Sequence, residues 1–152
     1  MHRTFALPAL VLTALACVVL AHTPPLRADG LDVIVEVEGI HSSRGEVRGA
    51  LFGSASDWTH EGREIATCRA AIVGTRARCV FENVAPGTYA AALLDDENAD
   101  GRMERDFLGI PREGYAFSND ASPSLGPPSF DSARFRHERG DTHLVVHTRY
   151  GI

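Results

Sequence analysis

The stretch Asp95-Asp96-Glu97-Asn98-Ala99-Asp100-Gly101-Arg102-Met103-Glu104-Arg105-Asp106 sets side-chain oxygens at alternate positions, Asp96-x-Asn98-x-Asp100, with a glycine directly after them. A hard cation such as Ca²⁺ takes about six to eight oxygens, and this spacing converges them where a glycine lets the chain turn sharply. Arg102 would add its backbone carbonyl, and Glu104 or Asp106 a later carboxylate. The expected cofactor is therefore a structural Ca²⁺ held by Asp96, Asn98, Asp100, Arg102 and Asp106. The twelfth position is Phe107 where an EF-hand has a bidentate glutamate, and a strand precedes the motif, so it is not an EF-hand. The same spacing also suits an Asx-rich turn whose side chains bond their own backbone. The sequence leaves both readings open.

Other chemistry is sparse. There is no lysine, which removes amine nucleophiles and Schiff bases, and no Gly-x-Ser-x-Gly elbow, phosphate loop or dinucleotide fingerprint. His143 and His147 would pair on a helix, but on a strand they stand about 13 Å apart. No catalytic residue is assigned. The first reading is a non-enzymatic binding or structural module for an unknown ligand or envelope protein. The alternative is a metal-dependent hydrolase of the cell envelope or extracellular space, using Asp96, Asp100, Glu113 or histidines around an open metal position.

Beside the acidic motif, Asp106 to Ser132 reads as one long irregular loop rich in proline, glycine and aromatic residues. Loops of that length in a compact domain usually bind something or pack as a folded cover. Tyr115, Phe117 and Phe130, with Arg112 and Asn119, are the expected ligand or partner surface. The competing expectation is that these aromatics plug one end of the domain.

Composition sets the limits. The 152 residues carry 15 basic and 20 acidic side chains, net charge −5, and 44% hydrophobic residues. That describes one globular domain with no cationic face for nucleic acid. Residues 1–21, with Arg3 ahead of an apolar run from Phe5 to Leu20, read as a signal peptide cleaved after Ala21, or alternatively after Ala28. A lipoprotein tether at Cys17 is the minority expectation. Residues 22–30 are a Pro-rich linker, and 31–152 the domain. No other segment approaches membrane-spanning length, so a periplasmic or secreted chain without a transmembrane span is expected. Cys68 and Cys79 remain as an even pair for an oxidising compartment. A hairpin closing over Ile72 to Thr75 would set them opposite each other on neighbouring strands; two buried free thiols is the other reading.

The elements that must position these residues are short runs of period two. Leu31, Val33, Val35 and Val37 alternate with Asp32, Glu36 and Glu38, interrupted only by Ile34 on the outer side. Residues 45–52 make a second strand, the Cys68 and Cys79 arms a third and fourth, and 87–95 a fifth. Residues 133–137 and 142–150 give two more, joined across Glu138 to Asp141. Residues 54–64 have room for a helical turn capped by Ser56 or Asp57. The expected fold is all-β, an antiparallel sandwich of about seven strands with one long irregular loop.

Pro86-Gly87-Thr88-Tyr89 resembles the turn and strand start of transthyretin-like and carboxypeptidase-regulatory-like sandwiches. More specifically, Phe81 to Phe135 resembles the bacterial domain of unknown function 2141 family. The shared features are a Pro-Gly-x-Tyr strand, an acidic loop, the segment Phe107-Leu108-Gly109-Ile110-Pro111 through Glu113-Gly114-Tyr115 to Ser118-Asn119, and a Gly126-Pro127-Pro128 closure. Asp95 stands where that pattern usually carries a histidine. The opening strands, residues 31–52, are similar as well. The resemblance implies export and a small β-sandwich, and names no activity.

Overall fold

A computed structural model describes residues 31–151. The expected signal peptide, linker and Cys17 tether lie outside the described residues. The domain is all-β. Its strands are β1 (Val33–Glu38), β2 (Glu46–Phe52), β3 (Ala66–Val73), β4 (Arg76–Phe81), β5 (Gly87–Asp96), β6 (Gly114–Phe117), β7 (Phe135–His137) and β8 (Thr142–His147). They form one sheet in the order β6-β5-β2-β3-β4-β1-β8, with β7 added to the start of β5. Tyr115 of β6 exchanges two backbone hydrogen bonds with Arg149 beyond β8, at 2.9 and 2.8 Å. That bridge joins the two ends of the order, so the sheet is nearly closed and barrel-like.

The alternating valines of β1 point where period two sends them: Val33, Val35 and Val37 meet Val47, Leu51, Phe81, Leu93 and Val146 in the main core. Ile34, expected on the outer side, is also buried. A second apolar cluster lies on the opposite face of β2, β5 and β6, built from Phe52, Trp58, Ala90, Tyr115, Phe117 and Ala133.

The disulfide Cys68–Cys79 is present, with Cα atoms 5.7 Å apart, but it is not the rung of a hairpin. The turn is Gly74-Thr75, one residue later than the symmetric closure, with Val73 paired to Arg76 and Ile72 to Ala77. Glycine at φ 66° suits such a two-residue hairpin. Beyond Ile72, β3 leaves β4 and pairs with β2, so Cys68 sits opposite Gly49 while Cys79 sits opposite Val35 of β1. The bond thus ties together two parts of the sheet that have diverged. Gly49 makes room for it: a Cβ there would run into Cys68 Sγ.

Several local expectations are corrected. The long loop is not irregular throughout; it contains β6, a 3-10 turn at Ser118–Asp120 and a one-turn helix, α1 (Phe130–Ala133). Residues 54–64 form turns without a helix. The last two strands do not pair with each other: β7 joins β5, and β8 lies parallel to β1, so the sheet is mixed rather than wholly antiparallel. Among the described residues no helix is long and apolar enough to cross a membrane.

Candidate functional site

At the end of β5, alternation sends two adjacent carboxylates to opposite faces. Asp95 follows Ala91 and Leu93 inward and is 2% exposed. Its Oδ2 accepts a hydrogen bond from the Tyr150 hydroxyl at 2.5 Å, while Oδ1 has no partner. The Tyr150 hydroxyl in turn accepts from the His41 amide at 2.9 Å, and the two rings stack at 3.7 Å. Burial pushes the Asp95 carboxyl above the ordinary carboxylate range, opposed by the Tyr150 hydrogen bond and assisted by Glu97. Burial and the Asp95 carboxylate likewise raise the Tyr150 phenol.

Asp96 faces the other way and is fully buried. Its Oδ1 accepts from the Asp100 amide at 3.1 Å and its Oδ2 from the Gly101 amide at 2.8 Å, and Arg48 Nε forms an ion pair with Oδ2 at 2.9 Å. Arg48 is also held by Glu46 at 2.8 Å. Gly101 is at φ 82°, and a Cβ on it would strike the Arg48 guanidinium, so glycine is required both for the turn and for the close approach. Asn98 Oδ1 accepts from the Asp100 amide and Asp100 Oδ1 from the Arg102 amide, at 3.0 and 2.8 Å, as in nested Asx turns.

Glu113, the residue before β6, is 4% exposed and clamps this loop from across its base. Its Oε1 accepts from the Glu97 amide at 3.1 Å and its Oε2 from the Glu104 amide at 3.0 Å. Burial raises its pKa against those two hydrogen bonds, and Asp96 adds to the rise. Asp106 is directed to the next turn, where its Oδ1 accepts from Leu108 at 2.8 Å and Ile110 at 2.9 Å. Arg105 and Pro111 bridge the base of that turn. The result is a pinned hairpin with Phe107 94% and Leu108 69% exposed at its tip.

The structure therefore brings Asp96, Asn98 and Asp100 together around backbone amides and places Asp106 in the following turn. Arg102 is exposed beside them. Among the described residues no group of three or more His, Cys, Asp or Glu side chains is arranged to hold a metal ion. Of the expected ligand surface, Tyr115 and Phe117 are buried in the second cluster, and Phe130 packs against it. Tyr115 and Phe117 are inward because they share a face with the alanines of β5, which leave space for large rings. Asn119 is exposed, yet its amide ties Ser132 and Arg134 carbonyls, and Arg112 is exposed just past the base of the hairpin, where its amide donates to the Glu104 carbonyl at 2.9 Å. The plug expectation describes the aromatics better than the recognition surface does.

Two features escaped the sequence reading. Phe107 and Leu108 carry no periodic signal that marks them as outward. An open groove where the start of β5 meets the end of β7, lined by Pro86, Thr88, Arg136, Glu138 and Arg139, depends on a strand pairing that local pattern does not reveal.

A family model described as an uncharacterized protein conserved in bacteria, DUF2141, matches residues 35–145. The chain belongs to the DUF2141 family. Within this DUF2141 chain the match runs from β1 into β8 and takes in the acidic loop, the hairpin and the Glu113 clamp. No curated protein and no solved structure matches it.

Proposed function

We propose that this chain is an exported, non-enzymatic binding module whose contact element is the loop system between β5 and β6. The single observation that carries the reading is the Glu113 clamp. One buried carboxylate fixes both limbs of the acidic loop, and the hairpin built on that loop holds two large apolar side chains in the open. A surface held rigid before contact loses little conformational entropy when it binds. Export is supported by the leader-like residues 1–21 and by a disulfide pair that suits an oxidising compartment. The fold is read as a flattened barrel, a transthyretin-like or carboxypeptidase-regulatory-like sandwich. The split of β3 between a β2 side and a β4 side, with the main core between, supports it.

A photo-reactive residue in place of Phe107, compared with one at the exposed Val73, tests this reading in intact cells. An envelope adduct at position 107 that is absent at 73 is expected; equal labelling at the two positions overturns the contact role.

The calcium proposal rests on the alternate oxygens of Asp96, Asn98, Asp100, the Arg102 carbonyl and Asp106. In its present form the loop is already closed by its own amides and by Arg48, so an ion would add rigidity rather than chemistry. Calorimetric titration with melts in calcium and in chelator decides. Heat uptake or release with a raised melting temperature, both lost in Asp96→Ala/Asp100→Ala, supports the ion; no response leaves a self-capped loop. For the hydrolase alternative, Asp96 and Glu113 are both buried and bonded to backbone amides, an arrangement that gives it no support.

A further inference from the structure

The seam of the sheet is sealed at its two ends and open between them. At one end the 138–141 turn starts β8 against β7, where His137 Nδ1 meets Thr142 Oγ1 at 2.8 Å. At the other, Asp120 holds the His147 amide at 2.7 Å and the ring Nδ1 at 2.8 Å, and Tyr115 pairs with Arg149. Between these seals β7 pairs with β5 and β8 with β1, and the two do not pair with each other. Phe135 of β7 and Leu144 of β8 both pack against the main core from this stretch, yet each is only partly buried. Val33, Val35 and Val146 in the same core are wholly covered.

Backbone direction shows what the opening lacks. The Thr142 amide donates to the Asp32 carbonyl at 2.9 Å and the Thr148 amide to the Glu38 carbonyl at 2.8 Å, so the even residues of β8 serve β1. The odd residues turn outward, as the His147 and Arg149 amides do. His143 and Val145 therefore direct their N–H and C=O groups into the seam, and among the described residues nothing bonds them there. On the facing wall both Ala91 backbone groups meet the Ser118 hydroxyl, so by alternation Gly87 and Tyr89 are the residues bonded to β7. Arg136, between their partners, turns its own backbone groups to the seam. Natural sheets blunt an open edge with charge, proline or a bulge. Thr142 to His147 contains no Pro, Asp, Glu or Arg, and half of it is β-branched.

These features select an occupant. Pairs of N–H and C=O groups about 7 Å apart along an edge are matched by another extended backbone, and not by a helix or a small ligand. The half-covered Phe135 and Leu144 call for an apolar side chain on the residue that faces inward. A β8 edge without Asp, Glu or Arg offers a strongly charged segment nothing to pair with. The six residues of β8 span about 20 Å, so the paired stretch is short. A folded second copy would bring a whole sheet to a seam sealed at both ends, whereas one extended segment is thin enough to enter.

We propose that the outer edge of β8, through the backbone of His143 and Val145, binds a short, extended, uncharged polypeptide segment as an added strand, with an apolar side chain turned in between Phe135 and Leu144. None of the residues between β5 and β6 takes part, so this surface stands apart from the contact role given to those loops.

The test follows backbone amide exchange by NMR in the protein as the expressing cell processes it, with a capped synthetic hexapeptide of alternating valine and threonine as probe. Without peptide, the His143 and Val145 amides should exchange fast, while those of Leu144 and Val146, which serve β1, exchange slowly. Peptide at about tenfold excess over its Kd should slow the first two about tenfold. The same peptide N-methylated throughout keeps its side chains but has no donors, and should lose most of the effect. Val145→Pro removes the outward donor while leaving the β1 ladder its own amides, and should abolish the protection at His143; Val145→Thr keeps the donor and should retain it. The N-methylated probe needs no variant, so the test holds even where Val145→Pro unfolds. Exchange at His143 and Val145 unchanged up to the solubility limit of the peptide overturns the proposal, as does equal protection by the N-methylated peptide. Protection that grows with protein concentration in the absence of peptide overturns it in favour of a second copy. Amides already slow in the dilute protein alone overturn it as well, since the edge is then covered from within the chain.

Discussion

Asp95 and Glu113 are carboxyls held where water does not reach them freely, and each solves that differently. Glu113 has both oxygens bonded to amides, whereas Asp95 has one oxygen on Tyr150 and one on nothing. In both, burial is the largest cause and raises the pKa. A raised pKa means that the folded chain binds the proton more tightly than the unfolded chain does. The resulting stabilisation is fully present below the ordinary values of 3.8 for Asp95 and 4.5 for Glu113, and is lost as pH rises through the higher folded values. The melting temperature should therefore rise as pH is lowered from neutral into the mildly acidic range. Asp95→Asn should flatten that part of the profile; an unchanged slope in the variant would remove Asp95 from the account. The acidic motif itself was legible from Asp96, Asn98, Asp100 and Gly101. Its engagement by Arg48 was not, because Arg48 lies on another strand, far from it in sequence.

At the scale of the element, the strands were the legible part. Period two in 31–37, 45–52 and 87–95 corresponds to β1, β2 and β5 within a residue or two, because those strands have distinct inner and outer residues. β6 was hidden. Gly114-Tyr115-Ala116-Phe117 is buried on both faces, so it lacks the alternation that marks a half-buried strand. The Cys68–Cys79 pairing was legible from the two cysteines left beyond residue 30, but its setting between diverging strands was not, since β3 changes partner midway. The bond closes a loop of about 12 residues, and Cys68→Ala/Cys79→Ala should cost about 3 kcal/mol in urea denaturation. A cost near zero would mean that the core around Gly49 and Phe81 holds the strands without it.

Over the whole molecule, closure is the feature that no segment contains. The sheet order ends at β6 and β8, and among the described residues the Tyr115–Arg149 bridge is the backbone pairing that joins the two ends. Asp120 reinforces the seam, accepting from the His147 amide at 2.7 Å. Exposed strand edges invite unwanted pairing, and a closing bridge covers them. Arg149→Pro removes the amide that donates to the Tyr115 carbonyl and should lower stability by about 1–3 kcal/mol, with faster amide exchange in β6. If β6 exchange is unaffected, β5 alone holds that edge.

The amino-acid sequence by itself determined the all-β class, most strands, the cysteine pair, the family and the acidic loop, because each is written in neighbouring residues: alternation, turn chemistry, count or motif. Tertiary structure alone decided which face each aromatic took, where β3 parted from β4, that β8 lay parallel to β1, and that Phe107 and Leu108 stood outside every core. Those outcomes depend on which distant strand arrives alongside, and burial is a property of that meeting rather than of the residue.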